Sequence, residues 1–430
     1  MRTKNPITIK EYDSFVCDRK IDGYETLPEP TFSQLENFIL TNKTKDTDAL
    51  ELLGLSAKKG IGKVITAKNY VGVISMNDGT TIEILHKIYS TEEDYSKTKV
   101  KRLLIEMLKT LRNFPYKTLH TSTLNIEKMT IFEIFIRMFL DEIFLIVKRG
   151  LQCNYETIHC NERVYKGKMI FAQHIKENSA HKERCFVEFD EFNSNRAENK
   201  LIKTTLLYLF HQSTSVKNRS DIKTLLNSFN DVGVSDDYMG DFLKLVPDRN
   251  MKDYNTALLW CKVFLQGKSF TSFYGSEVAY ALLFPMETLF ESYVAAKIKQ
   301  ELSIEKYSVS AQDSSYALFD LPNRKFLLRP DIVVKRKTDK AIFILDTKWK
   351  VLSDMKSNYG ISQADMYQMY AYQKKYNAQN IALLYPATEK LSTGKKIEFQ
   401  SGDGVNVMVK FIDLFDVKKS ITNIVSCFKD

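Results

Sequence analysis

Two aspartates and a lysine carry the clearest chemistry in this chain. Asp331 follows Pro330, and after fourteen intervening residues comes Asp346-Thr347-Lys348, within RPDIVVKRKTDKAIFILDTKWK. Two apolar runs, Phe326 to Val334 and Ala341 to Trp349, flank the polar segment Lys335 to Lys340. Both runs are rich in β-branched and aromatic residues, so the pair reads as a β-hairpin. Side chains two apart on a strand share a face, which points Asp346 and Lys348 the same way. With Lys337 to Lys340 as the loop, Arg336 pairs with Ala341, and the same register sets Asp331 opposite Asp346. Directly opposed Cβ atoms lie roughly 4.5–5.5 Å apart. Carboxylates that close repel unless a cation sits between them. A hard ion such as Mg²⁺ takes oxygen ligands and keeps several waters. A lysine beside it orients or deprotonates an attacking water, which completes the minimum apparatus for metal-assisted phosphodiester hydrolysis. The competing reading is a solvated surface hairpin. Against it, Asp346 shares a face with Ile342 and Ile344, where a buried carboxylate is costly unless paired or metal-bound.

These residues need elements to hold them. Upstream, Phe284 to Leu302 reads as a helix, with Pro285 in its first turn and Met286, Leu289, Phe290, Tyr293 and Val294 apolar at helical spacing. Glu287 and Glu291 lie four apart on one side of it. Glu291 borders the apolar stripe and is expected to bring a third carboxylate to the sheet. Downstream, Ser362 to Tyr376 reads as a helix with Ser362 as N-cap and Asp365 three residues on, like a capping box. Gln368 and Tyr372 share a face there and are placed to hold a lysine, a water or a phosphate. Tyr367, Tyr370 and Tyr376 are expected only to pack on the sheet.

In that order, Glu291, Pro330-Asp331, Asp346-x-Lys348 and Gln368-x-x-x-Tyr372 resemble the PD-(D/E)xK nucleases with a RecB-like glutamine–tyrosine helix. Further segments narrow the resemblance to the McrC family of McrBC 5-methylcytosine restriction systems. They are FPMETLFESYV, Asn69 to Ile88, Arg163 to Ile175 and Glu191 to Leu206. The family usually carries proline at His86 and asparagine at Glu287. The resemblance implies a Mg²⁺-dependent DNA endonuclease with Asp331 and Asp346 on the metal, and with Lys348 and Glu291 as further catalytic residues. Gln368 and Tyr372 would support them. It also implies a partner, an McrB-like AAA+ GTPase oligomer that binds GTP while this chain does not, and double-stranded DNA as substrate. Two other readings stand beside it: a stand-alone RecB-like repair nuclease, and a GTPase activator or adaptor that does not cut.

The fold class expected is multidomain α+β. Residues 1–125 form a mixed β/α domain that, by the resemblance, docks on the AAA+ partner. Residues 126–269 form a mostly helical middle region near DNA, and 270–430 an α/β PD-(D/E)xK restriction-endonuclease-like domain. The pattern gives short helices at Phe32 to Ile39 and Asp46 to Leu55. A hairpin is expected at Asn77-Asp78-Gly79, and a final strand, Val405 to Ile412, at the sheet border. Lys58, Lys59 and Lys63 are candidates for stimulating the partner's GTPase. Lys335, Arg336 and Lys350 are expected to form a basic rim on the DNA backbone. Arg196, with Asn193 and Asn199 before a helix, is a further backbone candidate, since helix N-termini favour anions.

Composition sets wider bounds. The chain has 430 residues and a net charge of +9, which suits a polyanionic partner. Its six cysteines form no C-x-x-C pair, so structural zinc is not expected. The polar, basic start and the charges inside Ile131 to Val147 predict a cytoplasmic protein without a membrane span. Two near-phosphate loops fail. AKKGIGKV has Ala57 and Val64 at the key positions, and LQGKSF has Lys262 where the first glycine belongs.

Overall fold

The computed structural model describes residues 6–41, 49–76, 80–87, 97–111, 129–245, 252–266, 278–321, 323–388, 391, 394–426 and 428. They fall into two compact units, one around Met129–Tyr274 and one assembled from Lys4–Thr118 and Gly275–Asp430. The first and third of the expected blocks therefore share a unit. The cause is the strand Val278–Pro285, which pairs antiparallel with Tyr70–Met76 and sets Phe284 against Val71. It completes a four-stranded sheet with Thr81–Leu85 and Ile7–Lys10. Gly72, at φ 142°, permits this close pairing, because a Cβ there would lie 1.9 Å from the Leu282 carbonyl oxygen.

A second four-stranded sheet in this unit runs Glu25–Leu27, Ser14–Cys17, Gly62–Ala67, Leu53–Lys58. The helix expected at Asp46 to Leu55 is not formed in its described part. Ala49–Glu51 is a single 3-10 turn, and Leu53–Lys58 is a strand whose Leu53 and Leu55 face Ala67 and Ile65 across the ladder. Pairing along the whole length of a partner strand outweighs local helical preference here. Residues 46–48, the Asn77-Asp78-Gly79 turn and Lys268 to Phe270 lie outside the described residues. Ala57 to Val64 is a hairpin tip, with Lys58 opposite Gly62. It lacks the strand-to-helix context a phosphate loop needs.

In the other unit, the helices Ile131–Arg149, Ala197–Gln212, Val216–Asn227 and Lys252–Gln266 bury Phe135, Phe139, Trp260 and Phe264. The buried Glu133 carboxylate accepts from Ser213 Oγ (2.9 Å), Asn218 Nδ2 (2.7 Å) and the Thr214 and Ser215 amides (2.6 and 3.1 Å), which satisfies a charge that would otherwise be costly. Beside the helices stands a three-stranded sheet, Asn154–Glu162, Cys185–Asn193 and Lys168–Met169. Its central strand, Cys185–Asn193, was not anticipated in a region expected to be mostly helical.

The sheet of the C-terminal part has six strands. Their order is Tyr307–Ala311, Ile332–Arg336, Ile342–Thr347, Asn380–Pro386, Asn406–Ile412, Ile397–Gln400. Ile342–Thr347 runs antiparallel to Ile332–Arg336 and parallel to Asn380–Pro386, the latter connection crossing through the helix Gln363–Tyr376. Asn406–Ile412 is internal rather than bordering, because Ile397–Gln400 covers its outer edge. The expected strand from Phe326 to Val334 is broken. Lys325–Leu327 pairs with Ala317–Phe319 in a separate ribbon, and Arg329-Pro330 divides it from Ile332–Arg336. Tyr376 is buried, but Tyr367 and Tyr370 are exposed, and Tyr370 bonds Asp403 (2.6 Å) rather than packing on the sheet. Among the described residues no helix is long and apolar enough to cross a membrane.

Candidate active site

The hairpin register is the one the spacing predicts. Ile332 faces Leu345, Val334 faces Phe343, and the Arg336 amide donates to the Ala341 carbonyl at 2.9 Å. One step beyond Ile332 and Leu345, the same register opposes Asp331 to Asp346. Ile344 belongs to the core beneath the helix Gln363–Tyr376, and strand alternation carries Asp346 to the same face. Asp346 is 1% exposed.

Each carboxylate has its own support. Asp331 Oδ2 accepts from the Thr347 amide and hydroxyl, both at 2.7 Å. Lys348 Nζ lies 2.6 Å from Asp346 Oδ2 and 3.9 Å from Asp365 Oδ1. It also donates to Gln368 Oε1 at 3.3 Å, and Gln368 Nε2 donates to the Tyr372 hydroxyl at 2.7 Å. Tyr372 is buried, so the chain Tyr372–Gln368–Lys348–Asp346 runs from the core to the site. Glu291 reaches the group indirectly. Gln312 Nε2 donates to Glu291 Oε1 (2.6 Å) and to Asp331 Oδ1 (3.3 Å). A cleft of about 380 Å³ opens over these groups, lined by Glu291, Asp331, Thr347, Lys348, Lys350 and Asp365 among others. Glu287 lines it too.

The electrostatics report uncompensated negative charge. Burial, then the charge of Asp331, pushes the Asp346 carboxyl up to about 6. Burial also raises Asp331. Burial followed by the nearby Asp331 charge brings Glu291 up to about 7. Burial alone would lower the Lys348 ammonium, but Asp346, Asp365 and Asp331 together outweigh it and hold it above its ordinary value. Among the described residues no three His, Cys, Asp or Glu form a ready metal cage. An ion that keeps most of its waters needs only one or two carboxylates. Opposed oxygen donors that resist ionising together fit such a cation.

Three participants were not visible in the sequence. Gln312 sits at φ 53°, an uncommon backbone for a non-glycine residue. It comes from the end of the strand Tyr307–Ala311, and no spacing relates it to Glu291. Thr347 carried a signal only as the neighbour of Asp346. Asp365 was read as a capping-box residue. Its amide does bond Ser362 Oγ (3.1 Å), yet its carboxylate faces Lys348.

The basic rim needs correcting. Lys335 and Arg336 lie at the turn end of the hairpin, four and five residues from Asp331, or roughly 13–17 Å along the strand. Arg336 pairs with Asp339 (3.3 Å) and covers the Phe343 ring. Lys350 stays at the cleft, with Nζ on the Gly360 carbonyl (2.7 Å). In the other unit, Arg196 pairs with Glu198 (3.3 Å), and the buried Asn199 bonds the Gln152 and Ser194 carbonyls. Helix-start structure accounts for both. Lys58, Lys59 and Lys63 stand exposed on one hairpin, with Lys58 on the Tyr24 hydroxyl (3.0 Å) and Lys63 on Glu36 (2.6 Å).

Behind Lys348, Trp349 is anchored from the far end of the chain. Its indole N–H lies 2.9 and 3.1 Å from the two Glu11 carboxylate oxygens, and Glu11 also accepts from the Lys87 amide at 2.8 Å. Phe290 packs on the indole with centroids 5.3 Å apart. His86 meets its edge, with burial pulling that imidazole down to about 3. Burial raises Glu11 to about 7 despite these donors. An acid raised above its unfolded value contributes stability that is full below about pH 4.5 and lost as pH rises through about 7. Glu11→Gln stays neutral and keeps an acceptor oxygen. It is expected to remove a decline on the order of 3 kcal/mol between pH 4.5 and 8. Denaturation followed by Trp349 emission in a Trp260→Phe background checks this, and an unchanged decline would assign it to other groups.

Comparison with known proteins places the chain in a family. Residues 65–386 match the family described as McrBC 5-methylcytosine restriction system component. No curated protein matches the chain. Among solved structures, the chain is similar to one in a refined half-complex from a tetradecameric assembly of Thermococcus gammatolerans McrB AAA+ hexamers with bound McrC. Identity is 17%, coverage 99% of this chain and 100% of that one, and the TM-score 0.71. A chain of the Thermococcus gammatolerans McrBC complex aligns at 16% identity over 70% of this chain and 88% of that one, with a TM-score of 0.49. The family match spans most of the sequence, including Glu291, the aspartate hairpin, Gln368 and Tyr372, and the chain belongs to the McrBC 5-methylcytosine restriction system component family.

Proposed function

We propose that this chain is the endonuclease subunit of a GTP-dependent, McrBC-like restriction system that cuts double-stranded DNA by Mg²⁺-dependent phosphodiester hydrolysis. The observation that carries the reading is the buried Asp346 opposite Asp331 with Lys348 Nζ at 2.6 Å. Asp331 and Asp346 would hold the ion, which supplies charge neutralisation at the phosphate and a more acidic water. Lys348, aimed by Gln368 and Tyr372, donates to a non-bridging phosphate oxygen as negative charge develops there. Glu291, raised to about 7, is placed to take the proton that the attacking water releases. The new bond joins water oxygen to phosphorus, and the leaving sugar oxygen departs with its own proton from solvent. Gln312 bridges Glu291 and Asp331 by donating to both carboxylates.

The partner in this reading is an McrB-like AAA+ GTPase oligomer. The solved relative lies in an assembly with McrB hexamers, which supports the same kind of partner here. The chain stimulates that partner's GTP hydrolysis, and residues 1–125, with Lys58, Lys59 and Lys63, are the candidate docking region. The test is cleavage of modified and unmodified plasmid with Mg²⁺, by the chain alone and then with its AAA+ partner and GTP. The expected result is cutting in the complete mixture alone. Cutting without partner or GTP would replace this reading with an autonomous repair nuclease. Faster GTP hydrolysis without any cutting would leave an activator.

A further inference from the structure

The two ends of one excursion of the chain are both site residues. The Gln312 amide donates to the Asp331 carbonyl at 2.9 Å, which closes residues 313–330 into an arm rooted at the carboxylates. The arm's body is a two-stranded ribbon, Ala317–Phe319 against Lys325–Leu327, with the Leu328 amide on the Tyr316 carbonyl (2.9 Å). At its base the Tyr316 ring packs tilted against the buried Tyr376 (centroids 4.4 Å, planes 52° apart), and the Tyr376 hydroxyl donates to Asp313 (2.9 Å). The base is thus tied to the end of the helix Gln363–Tyr376, while apolar side chains farther out stay exposed. Phe319 is 56% exposed, Phe326 70% and Leu321 86%. The two phenylalanines meet edge to face at 6.0 Å, with Phe326 held at φ 57°. A bulky residue in that backbone region is a genuine outlier, and such outliers cluster at ligand clamps and functional sites. Exposed cations interleave with these rings: Arg324, Lys325 and Arg329. Asp320, just past the first ribbon strand, is paired with Lys375 at 2.9 Å.

We propose that this ribbon is a DNA-contacting arm, with Arg324, Lys325 and Arg329 on the phosphates and Leu321, Phe319 and Phe326 against the base steps beside the scissile bond. The proposal rests on the nuclease reading of the adjoining site. A two-stranded ribbon is narrow enough to enter a DNA groove. Apolar side chains wedged at base steps are a known way of gripping a duplex without reading its sequence. Charge selects this occupant over a second copy of the chain. Two copies meeting through the same ribbon would bring two sets of the three cations together, whereas a polyanion neutralises them.

Binding of a fluorescent duplex to the full chain, with Ca²⁺ replacing Mg²⁺, tests this without cutting. Removing the three cations (Arg324→Ala, Lys325→Ala, Arg329→Ala) is expected to reduce the slope of log affinity against log salt by about 0.9 per lost phosphate contact. Leu321→Ala with Phe326→Ala is expected to weaken binding roughly tenfold with the slope unchanged. Wild-type affinity and slope in both variants would overturn the arm. So would a shift from dimer to monomer in sedimentation with DNA affinity intact, which would assign the surface to a second copy. Arm-dependent binding without cutting in the assembled system would support the arm and remove the nuclease reading instead.

Discussion

Asp346→Ala and Lys348→Ala are each expected to lower DNA cleavage by the assembled system by roughly 10³-fold or more, with the partner's GTP hydrolysis within about twofold. The two losses arise differently. Asp346 is one of two opposed oxygen donors, so its removal takes away half of the proposed ion site. Lys348 is the only lysine within ion-pair distance of Asp346 among the described residues. Lys350 also lines the cleft, but its Nζ is held on the Gly360 carbonyl at 2.7 Å. Lys348→Ala leaves Asp346 buried at 1% exposure beside Asp331, so the variant needs a folding check. Lys348→Met fills the stem's volume and separates lost charge from lost packing. Tyr372→Phe acts through Gln368 and should cost far less, roughly tenfold, because it loosens the aim of Lys348 without removing it. Cutting at the parental rate by folded Asp346→Ala would sink the proposed metal site outright.

The second large effect is on stability. In the absence of divalent cation, Asp331, Asp346 and Glu291 are all raised by burial, with Asp346 near 6 and Glu291 near 7. Folded values above unfolded ones mean stability that is full below about pH 4 and lost as pH rises through 6 to 7. For Asp346 alone the loss is on the order of 3 kcal/mol. The metal-free chain is therefore expected to melt progressively lower from pH 5 to pH 8. Asp346→Asn, which cannot ionise, should flatten that fall while abolishing cleavage. Mg²⁺ should restore the wild type at pH 8, by an amount growing with concentration over Kd, and should leave Asp346→Asn nearly unmoved. Melting with and without Mg²⁺ at pH 5 and pH 8, for both proteins, gives eight midpoints. Equal Mg²⁺ shifts in the two proteins would place the ion elsewhere.

The local sequence determined a good deal. The hairpin register that opposes Asp331 to Asp346 was legible because loop length and strand alternation leave one pairing that buries Ile344 and Phe343 on opposite faces. The Ser362 cap and the Gln368–Tyr372 spacing were legible because a helix repeats every 3.6 residues whatever surrounds it. Contiguous pattern also misled. Phe326 was read into the strand of Val334, and Lys335 and Arg336 were read onto the rim of a site that lies at the other end of their strand.

Only the tertiary structure decided which distant groups meet there. Gln312 bridges Glu291 and Asp331 from another strand's end. Glu11 holds Trp349 across 338 positions of chain, and Val278–Pro285 closes the N-terminal sheet and joins two expected blocks in one unit. The physical reason is the same in each case. Periodicity and turn chemistry act through neighbours a few positions apart, and so they are written into consecutive residues. A hydrogen bond between remote groups leaves no spacing to read. It exists because packing of the whole unit brings a donor to an acceptor, and burial then makes that partner obligatory.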